Sequence, residues 1–93
     1  MEIEFDPAKS AKNERERGLP FERAAELEWN RAHSFPDLRR DYGEQRFLAF
    51  APMHGRLHVV CYVWRGGVRR IISFRRANKR EERAYEKATA ANG

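Results

Sequence analysis

The sequence predicts an α+β fold in which two N-terminal helices precede an antiparallel β-sheet meander and a C-terminal helix follows it. Helix start and stop signals lie before residue 46, and three runs rich in β-branched and aromatic residues, separated by glycine turns, extend from there to residue 76. A capping motif then begins the last helix. Because either half of the 93 residues would bury too little core alone, we expect one domain over residues 1–93.

The first helix has a clear beginning and end. Asp6 can accept hydrogen bonds from the free N–H groups of a first turn, and Pro7 fits that turn without strain. Gly18 can adopt the left-handed conformation that ends a helix. The helix is therefore predicted from Pro7 to Arg17, preceded by a short extended segment at residues 3–5, and its polar composition places it on the surface.

A second helix is predicted to begin at Leu19-Pro20. Apolar side chains at helical spacing form a stripe that we expect to pack into the core. The stripe comprises Phe21, Ala24, Ala25 and Trp29. Residues 32–38 have a weaker pattern and are predicted as a short strand at the edge of the sheet, because Pro36 cannot donate to a neighbouring strand.

Three strands are predicted over residues 46–51, 57–64 and 68–76, with turns at His54-Gly55 and Gly66-Gly67. In the first strand, alternation separates Phe47, Ala49 and Ala51 from Arg46, Leu48 and Phe50. In the third strand, alternation places Arg69, Ser73 and Arg75 on the face of Ile71, and Arg70 and Arg76 on the face of Val68, Ile72 and Phe74.

The last helix is predicted from Lys79 to about Thr89, with residues 90–93 frayed. Asn78 followed by Glu81 has the spacing of a capping box, in which each residue satisfies a backbone N–H of the first turn. Charges three residues apart predict two ion pairs along this helix. These are Lys79 with Glu82 and Arg83 with Glu86.

The charge of the chain is unevenly distributed. Residues 1–45 hold 8 Lys/Arg and 11 Asp/Glu, whereas residues 46–93 hold 11 and 3. A positive field of this kind attracts phosphate backbones. No apolar run approaches membrane-spanning length, the N-terminus lacks a signal-peptide pattern, and Cys61 has no second cysteine to pair with. We therefore expect a cytoplasmic protein with no membrane contact.

RNA can be cleaved without a metal ion if side chains supply three things. One group removes the 2′-hydroxyl proton, one holds the charge of the transition state, and one protonates the leaving oxygen. Arginines suit the second task, and the proton-transfer candidates are His54, His58, Glu44, Tyr62 and Tyr85. The pattern favours an ordinary strand residue at His58 over a proton donor, and Tyr85 can equally cover the core from the last helix. One cysteine and three scattered histidines have no ligand spacing, so we expect neither a metal nor a cofactor.

Several segments resemble the BrnT-type ribonuclease toxins. They are Phe5-Asp6-Pro7-Ala8-Lys9 with Asn13, Arg17-Gly18-Leu19 and Phe21-Glu22, then Asp41-Tyr42-Gly43-Glu44-Gln45-Arg46-Phe47, and the arginine-rich block from Arg69 to Glu81. The resemblance extends from about Glu4 to Tyr85. Each motif is short, and the order and spacing of the set carry the similarity.

The resemblance implies a RelE-like fold and an endoribonuclease that cleaves mRNA, on or off the ribosome, to inhibit translation. It also implies a BrnA-like antitoxin with a ribbon-helix-helix domain, through which the complex binds operator DNA. Position in the motifs makes Arg75 the first candidate for contact with the scissile phosphate and Arg46 the second. With His58 and Tyr85 these form the predicted catalytic set. The predicted RNA-binding residues are Arg69, Arg70, Ser73, Arg76, Lys79, Arg80 and Arg83.

Two other functions fit the same residues. Because no acid–base pair is recognisable in the sequence, the basic surface can instead belong to a non-catalytic module that binds RNA or a protein. A degenerate toxin that acts only in the repressor complex is the third reading. Cleavage products from purified protein distinguish the first function from the other two.

Overall fold

The computed structural model describes residues 2–92, with side-chain burial given up to residue 90. A five-stranded sheet forms the centre of the fold, in the order β1-β5-β4-β3-β2. In chain order the elements are β1 (Ile3–Phe5), α1 (Pro7–Arg17), 3₁₀ helices at Phe21–Glu26 and Trp29–Arg31, β2 (His33–Pro36), β3 (Phe47–Met53), β4 (Arg56–Arg65), β5 (Val68–Arg76) and α2 (Lys79–Asn92).

The predicted α+β class and the C-terminal helix are confirmed, but the arrangement differs from the prediction. The extended segment before α1 is a strand that pairs in parallel with β5, so the sheet is mixed rather than a purely antiparallel meander. Helix α2 continues to Asn92, beyond the predicted end at Thr89. The ion pairs predicted along α2, Lys79–Glu82 and Arg83–Glu86, are not formed among the described residues.

The predicted second helix is wrong in type. The segment forms two 3₁₀ helices, because its buried side chains recur every three residues at Phe21, Ala24 and Leu27. Ala25, predicted in the core, is exposed. The indole of Trp29 donates a hydrogen bond of 3.1 Å to the Ala24 carbonyl and holds the two 3₁₀ helices together.

A part-buried amide helps to hold helix α1 on the sheet. Asp6 caps the helix by accepting from the N–H of Ala8 at 2.9 Å, and Gly18 ends it with φ at 71°. The side-chain amide of Asn13 donates to the Leu19 carbonyl at 2.7 Å and to the Phe74 carbonyl at 2.9 Å. These bonds fix the end of α1 beside the outer edge of β5, where β5 has passed its last pairing with β1.

A β-bulge determines which face of the sheet the side chains of β5 occupy. Cys61 of β4 pairs with Ser73, but Tyr62 pairs with Ile71, so Ile72 has no partner in the β4–β5 register. Simple alternation predicts opposite faces for Ile71 and Phe74, and this is wrong, because both are buried in the same core cluster. Arg76 therefore shares a face with Phe74 and Ile71, while Ser73 and Arg75 lie on the other face.

The two faces of the sheet are covered differently. The packed face, which carries Val60, Tyr62, Ile71 and Phe74, is buried by the 3₁₀ helices and forms the main core. The opposite face has a small cluster around Leu57 and Val59, against which Tyr85 of α2 packs. The packed face thus stabilises the fold, and the opposite face remains partly open.

Replacing Asn13 with Ala should lower the free energy of unfolding by about 1–3 kcal/mol, because two part-buried carbonyl groups lose their donor. The matched control is Lys12→Ala, which removes only an exposed ion pair of 4.0 Å and should cost less than about 0.5 kcal/mol. Urea unfolding measures both variants. Equal stability of the two would show that Asn13 does not hold α1 to the sheet.

Candidate functional site

Four arginines at one end of the sheet already have partners within the protein. Arg46 stacks on Tyr42, with its guanidinium carbon 4.0 Å from the ring centroid. Arg65 pairs with Glu44 and Arg70 with Glu4, each at 3.5 Å. Arg69 lies among Trp29, Trp64 and Tyr62 at 4.1, 4.5 and 5.3 Å from their ring centroids. Because Arg65 and Arg70 already donate to carboxylates, they are less available to phosphate. Arg46 and Arg69 are held in place by aromatic rings.

The opposite end of the sheet holds two adjoining pockets, which we call together the basic groove. The histidine pocket has a volume of about 170 Å³, and the edge pocket has a volume of about 360 Å³. Arg76 and Leu19 line both pockets. The histidine pocket is also lined by Arg23, Met53, His54, Arg56 and His58, and the edge pocket by Glu16, Arg17 and Arg75.

Three guanidinium groups of the basic groove are free of carboxylates. Arg17, Arg56 and Arg76 are exposed, and within residues 2–92 none of them forms an ion pair. They come from the end of α1, the start of β4 and the end of β5. Because guanidinium groups keep their charge and bind phosphate through paired hydrogen bonds, the groove is suited to a nucleic-acid backbone.

Arg75 lines the edge pocket but is held by a carboxylate. Its two terminal nitrogens donate to the two oxygens of Glu81 at 2.8 and 2.9 Å. Glu81 also accepts from the N–H of Asn78 at 2.9 Å, and Asn78 accepts from the N–H of Glu81 at 2.8 Å, which is the predicted capping box. The bond from Arg75 lowers the pKa of Glu81, so the pair is charged at neutral pH. A phosphate must compete with Glu81 to bind Arg75.

His58 is buried on the packed face, where 3% of its surface is exposed, and it contacts the ring of Phe74. Its Nδ1 lies 2.8 Å from the Arg56 carbonyl. Because a carbonyl oxygen only accepts, Nδ1 carries the hydrogen and Nε2 is the basic nitrogen of the neutral ring. Burial lowers the pKa of His58, and the charges of Arg76, Arg23 and Arg56 lower it further. The pocket therefore contains an uncharged imidazole at neutral pH.

His54 lines the same pocket from the hairpin turn between β3 and β4. Its φ of 50° places it in the left-handed region, an uncommon conformation for a residue other than glycine. Its Nε2 lies 2.7 Å from Oε1 of Glu26, and this hydrogen bond is the main cause of the lowered pKa of Glu26. Glu26 thus orients the ring of His54 beside the mouth of the pocket.

The structure divides the predicted catalytic set. Arg75 and His58 are at the same end of the sheet but on opposite faces, and Arg46 lies at the other end. The hydroxyl of Tyr85 donates to the Arg31 carbonyl at 2.7 Å, which gives Tyr85 a packing role between α2 and the chain before β2.

The predicted RNA-binding residues are divided in the same way. Arg76 lies in the groove, whereas Arg69 and Arg70 belong to the partnered group at the other end. Lys79, Arg80 and Arg83 are exposed on α2, and Ser73 is exposed on the open face. Sequence reasoning did not identify Arg17, Arg23 and Arg56 as site residues. Arg17 lies in one of the family-like motifs, Arg23 and Arg56 lie in none, and the three meet only through the tertiary fold.

Neither a group of metal ligands nor a membrane-spanning helix is found among the described residues. Within residues 2–92, no three His, Cys, Asp or Glu side chains are grouped so that they could hold a metal ion. None of the described helices is long and apolar enough to cross a membrane.

A family model described as the ribonuclease toxin BrnT of a type II toxin–antitoxin system matches residues 5–81. The chain belongs to this BrnT family. No curated protein matched the chain. The match extends from β1 to the capping box of α2, so it includes the whole basic groove. The toxin is therefore a member of a ribonuclease family that works with an antitoxin protein and an RNA substrate.

The stability of the toxin should depend on the protonation of His58. In the unfolded chain its pKa returns to about 6.5. Because the folded pKa is lower, the unfolded chain binds more protons between the two values, and the free energy of unfolding should fall as the pH drops below about 6.5. Denaturant unfolding at pH 7.5, 6.5 and 5.5 measures this, with His58→Gln as the comparison. The same pH dependence in both proteins would show that His58 does not cause it.

Proposed function

We propose that this toxin cleaves mRNA by attack of a ribose 2′-oxygen on the adjacent phosphorus, in the basic groove and without a metal ion. One observation carries the proposal: two histidines and guanidinium groups free of carboxylates line a single pocket at the end of β5. Proton transfer and charge stabilisation are the requirements of this reaction, and the pocket offers groups for both.

We assign binding of the scissile phosphate to Arg76 and Arg56. Both are exposed and lie on neighbouring strands, since the partner of Arg76 on β4 is His58, two residues after Arg56. In the transition state the phosphorus carries five oxygen ligands, and the added negative charge lies on the oxygens that do not react. Arginine donors placed at those oxygens stabilise the transition state more than the ground state.

We assign the two proton transfers of the reaction to His58 and His54. Nε2 of neutral His58 accepts the proton of the 2′-hydroxyl while the 2′-oxygen forms its bond to phosphorus. The bond from phosphorus to the 5′-oxygen breaks, and His54 in its protonated form gives a proton to that oxygen. The products are a 2′,3′-cyclic phosphate and a 5′-hydroxyl end, and neither an oxidant nor a water molecule is consumed.

Arg75 is proposed to bind the next phosphate along the RNA. It lines the edge pocket beside Arg76. Its two hydrogen bonds to Glu81 must break before both terminal nitrogens can bind a phosphate. Arg46 is proposed to act outside the groove, because it lies at the other end of β3.

The proposed partner is a BrnA-like antitoxin with a ribbon-helix-helix domain. The proposed compartment is the cytoplasm, and the complex is proposed to contact operator DNA through the antitoxin.

Purified toxin should cleave RNA in the presence of EDTA, and Arg76→Ala should lower the rate by about 100- to 1000-fold, because a transition-state donor is lost. Arg40→Ala is the matched control, since Arg40 is exposed and lies outside the groove, and it should keep the wild-type rate. Gel analysis of a labelled RNA measures all three proteins. Salt-sensitive RNA binding with no products from the wild type would favour the non-catalytic module instead.

Replacing either His54 or His58 with Ala should lower the cleavage rate by about 100-fold or more. Because the pKa of His58 is lowered, the acid-side fall in kcat/KM of the wild type should lie below about pH 6.5. His33→Ala is the control, since His33 packs against Tyr85 outside the groove. Cleavage at the wild-type rate by both histidine variants, with products that lack a cyclic phosphate, would contradict the assignment.

A further inference from the structure

A further cavity lies on the open side of the sheet, away from the histidine pocket. It has a volume of about 240 Å³ and lies between α2 and strands β2 and β3. We call it the α2 groove, and its apolar walls are formed chiefly by Phe35, Phe50, Ala84, Tyr85 and Ala88. Phe35 is 44% exposed although it stacks on Phe50, with ring centroids 5.6 Å apart. Because aromatic side chains are enriched in protein–protein interfaces, a half-exposed phenylalanine beside an apolar groove is suited to contact another protein.

The rim of the α2 groove is basic. Arg80 and Lys87 lie one helical turn before and after Ala84, so they flank the apolar wall on the surface of α2. Both are exposed, and among residues 2–92 neither forms an ion pair. With a net charge of +5 on the chain, this rim favours an acidic partner.

We propose that the α2 groove binds the antitoxin of this toxin–antitoxin pair, through an acidic segment that inserts one or two large apolar side chains between α2 and Phe35. The proposal rests on family membership, which implies an antitoxin partner. What is new is the surface of the toxin that the antitoxin contacts and the chemistry of that contact. The apolar groove supplies the anchor site, and the flanking cations match carboxylates on either side of it.

The position of the groove relates antitoxin binding to the RNA site. Glu81 lines the α2 groove and at the same time holds both terminal nitrogens of Arg75, which lines the edge pocket. Apolar side chains of the antitoxin seated in the α2 groove exclude water from the side of Glu81 that lines it, and this strengthens the ion pair of Glu81 with Arg75. RNA must compete with that pair, so occupation of the groove disfavours binding of RNA at the edge pocket.

Ala84→Glu tests the proposal, because it places a long, negatively charged side chain in the wall of the groove. Ala90→Glu is the matched control, since Ala90 is exposed on the same helix about 120° around from Ala84. Lys87→Glu tests the basic rim at an exposed position. Titration calorimetry with the purified cognate antitoxin, in the absence of RNA, measures affinity, and circular dichroism and thermal unfolding verify the fold of each variant.

Ala84→Glu and Lys87→Glu should each weaken antitoxin binding by about tenfold or more, while Ala90→Glu stays within about twofold of the wild type. Wild-type affinity in folded Ala84→Glu would overturn the proposal. Self-association of the toxin that is lost in Ala84→Glu, with unchanged antitoxin affinity, would assign the groove to a second copy and also overturn it. Because no RNA is present, the result does not depend on the proposed cleavage mechanism.

Discussion

The β-bulge at Ile72 determines which side of the sheet each later side chain of β5 occupies. Without it, strict alternation would turn either Ile71 or Phe74 away from the main core, at a cost of about 1.5–3 kcal/mol for one large apolar side chain. With it, both lie in the core, and the residues after the bulge change sides together. Arg76 is thereby placed on the face of His58, and Arg75 on the face of α2. Core packing and the geometry of the basic groove therefore depend on one irregular residue.

Electrostatic partners distinguish two groups of arginines that look alike in sequence. Arg69 and Arg70 are next to each other in the chain, as are Arg75 and Arg76, yet the first two are held by an aromatic cluster and by Glu4. Arg76 has neither kind of partner in the described part of the chain. A guanidinium group that already donates to a carboxylate gains less from a phosphate, because binding must first break a charge-assisted hydrogen bond. The density of arginines in a segment is therefore a poor guide to where RNA binds.

Local signals predicted those parts of the fold that depend on neighbouring residues. Helix α1 begins after Asp6, at Pro7, and ends before Gly18, as the capping rules predict. The capping box of Asn78 and Glu81 also forms as predicted. The three-residue spacing of Phe21, Ala24 and Leu27 is also present in the sequence, but it overlaps with the spacing of an α-helical stripe, so the sequence alone predicts an α-helix. Tertiary packing decided between the two kinds of helix.

The site could be predicted only in part, because its members meet through the tertiary fold. Arg17 and Arg56 are 39 positions apart and have no motif that relates them. The second role of Glu81, as the partner of Arg75, is masked in sequence by its more obvious role in the capping box. The bulge leaves no clear mark either, since Ile71 and Ile72 are equally apolar and either one can face the core.

The most direct measurement is a crystal structure of the toxin with an RNA analogue that carries fluorine in place of the 2′-hydroxyl and therefore lacks the nucleophile. We expect a phosphate within hydrogen-bond distance of Arg76 and Arg56, with the 2′-position facing Nε2 of His58. An analogue bound across Arg46 and Arg70, with the basic groove unoccupied, would contradict the proposed function.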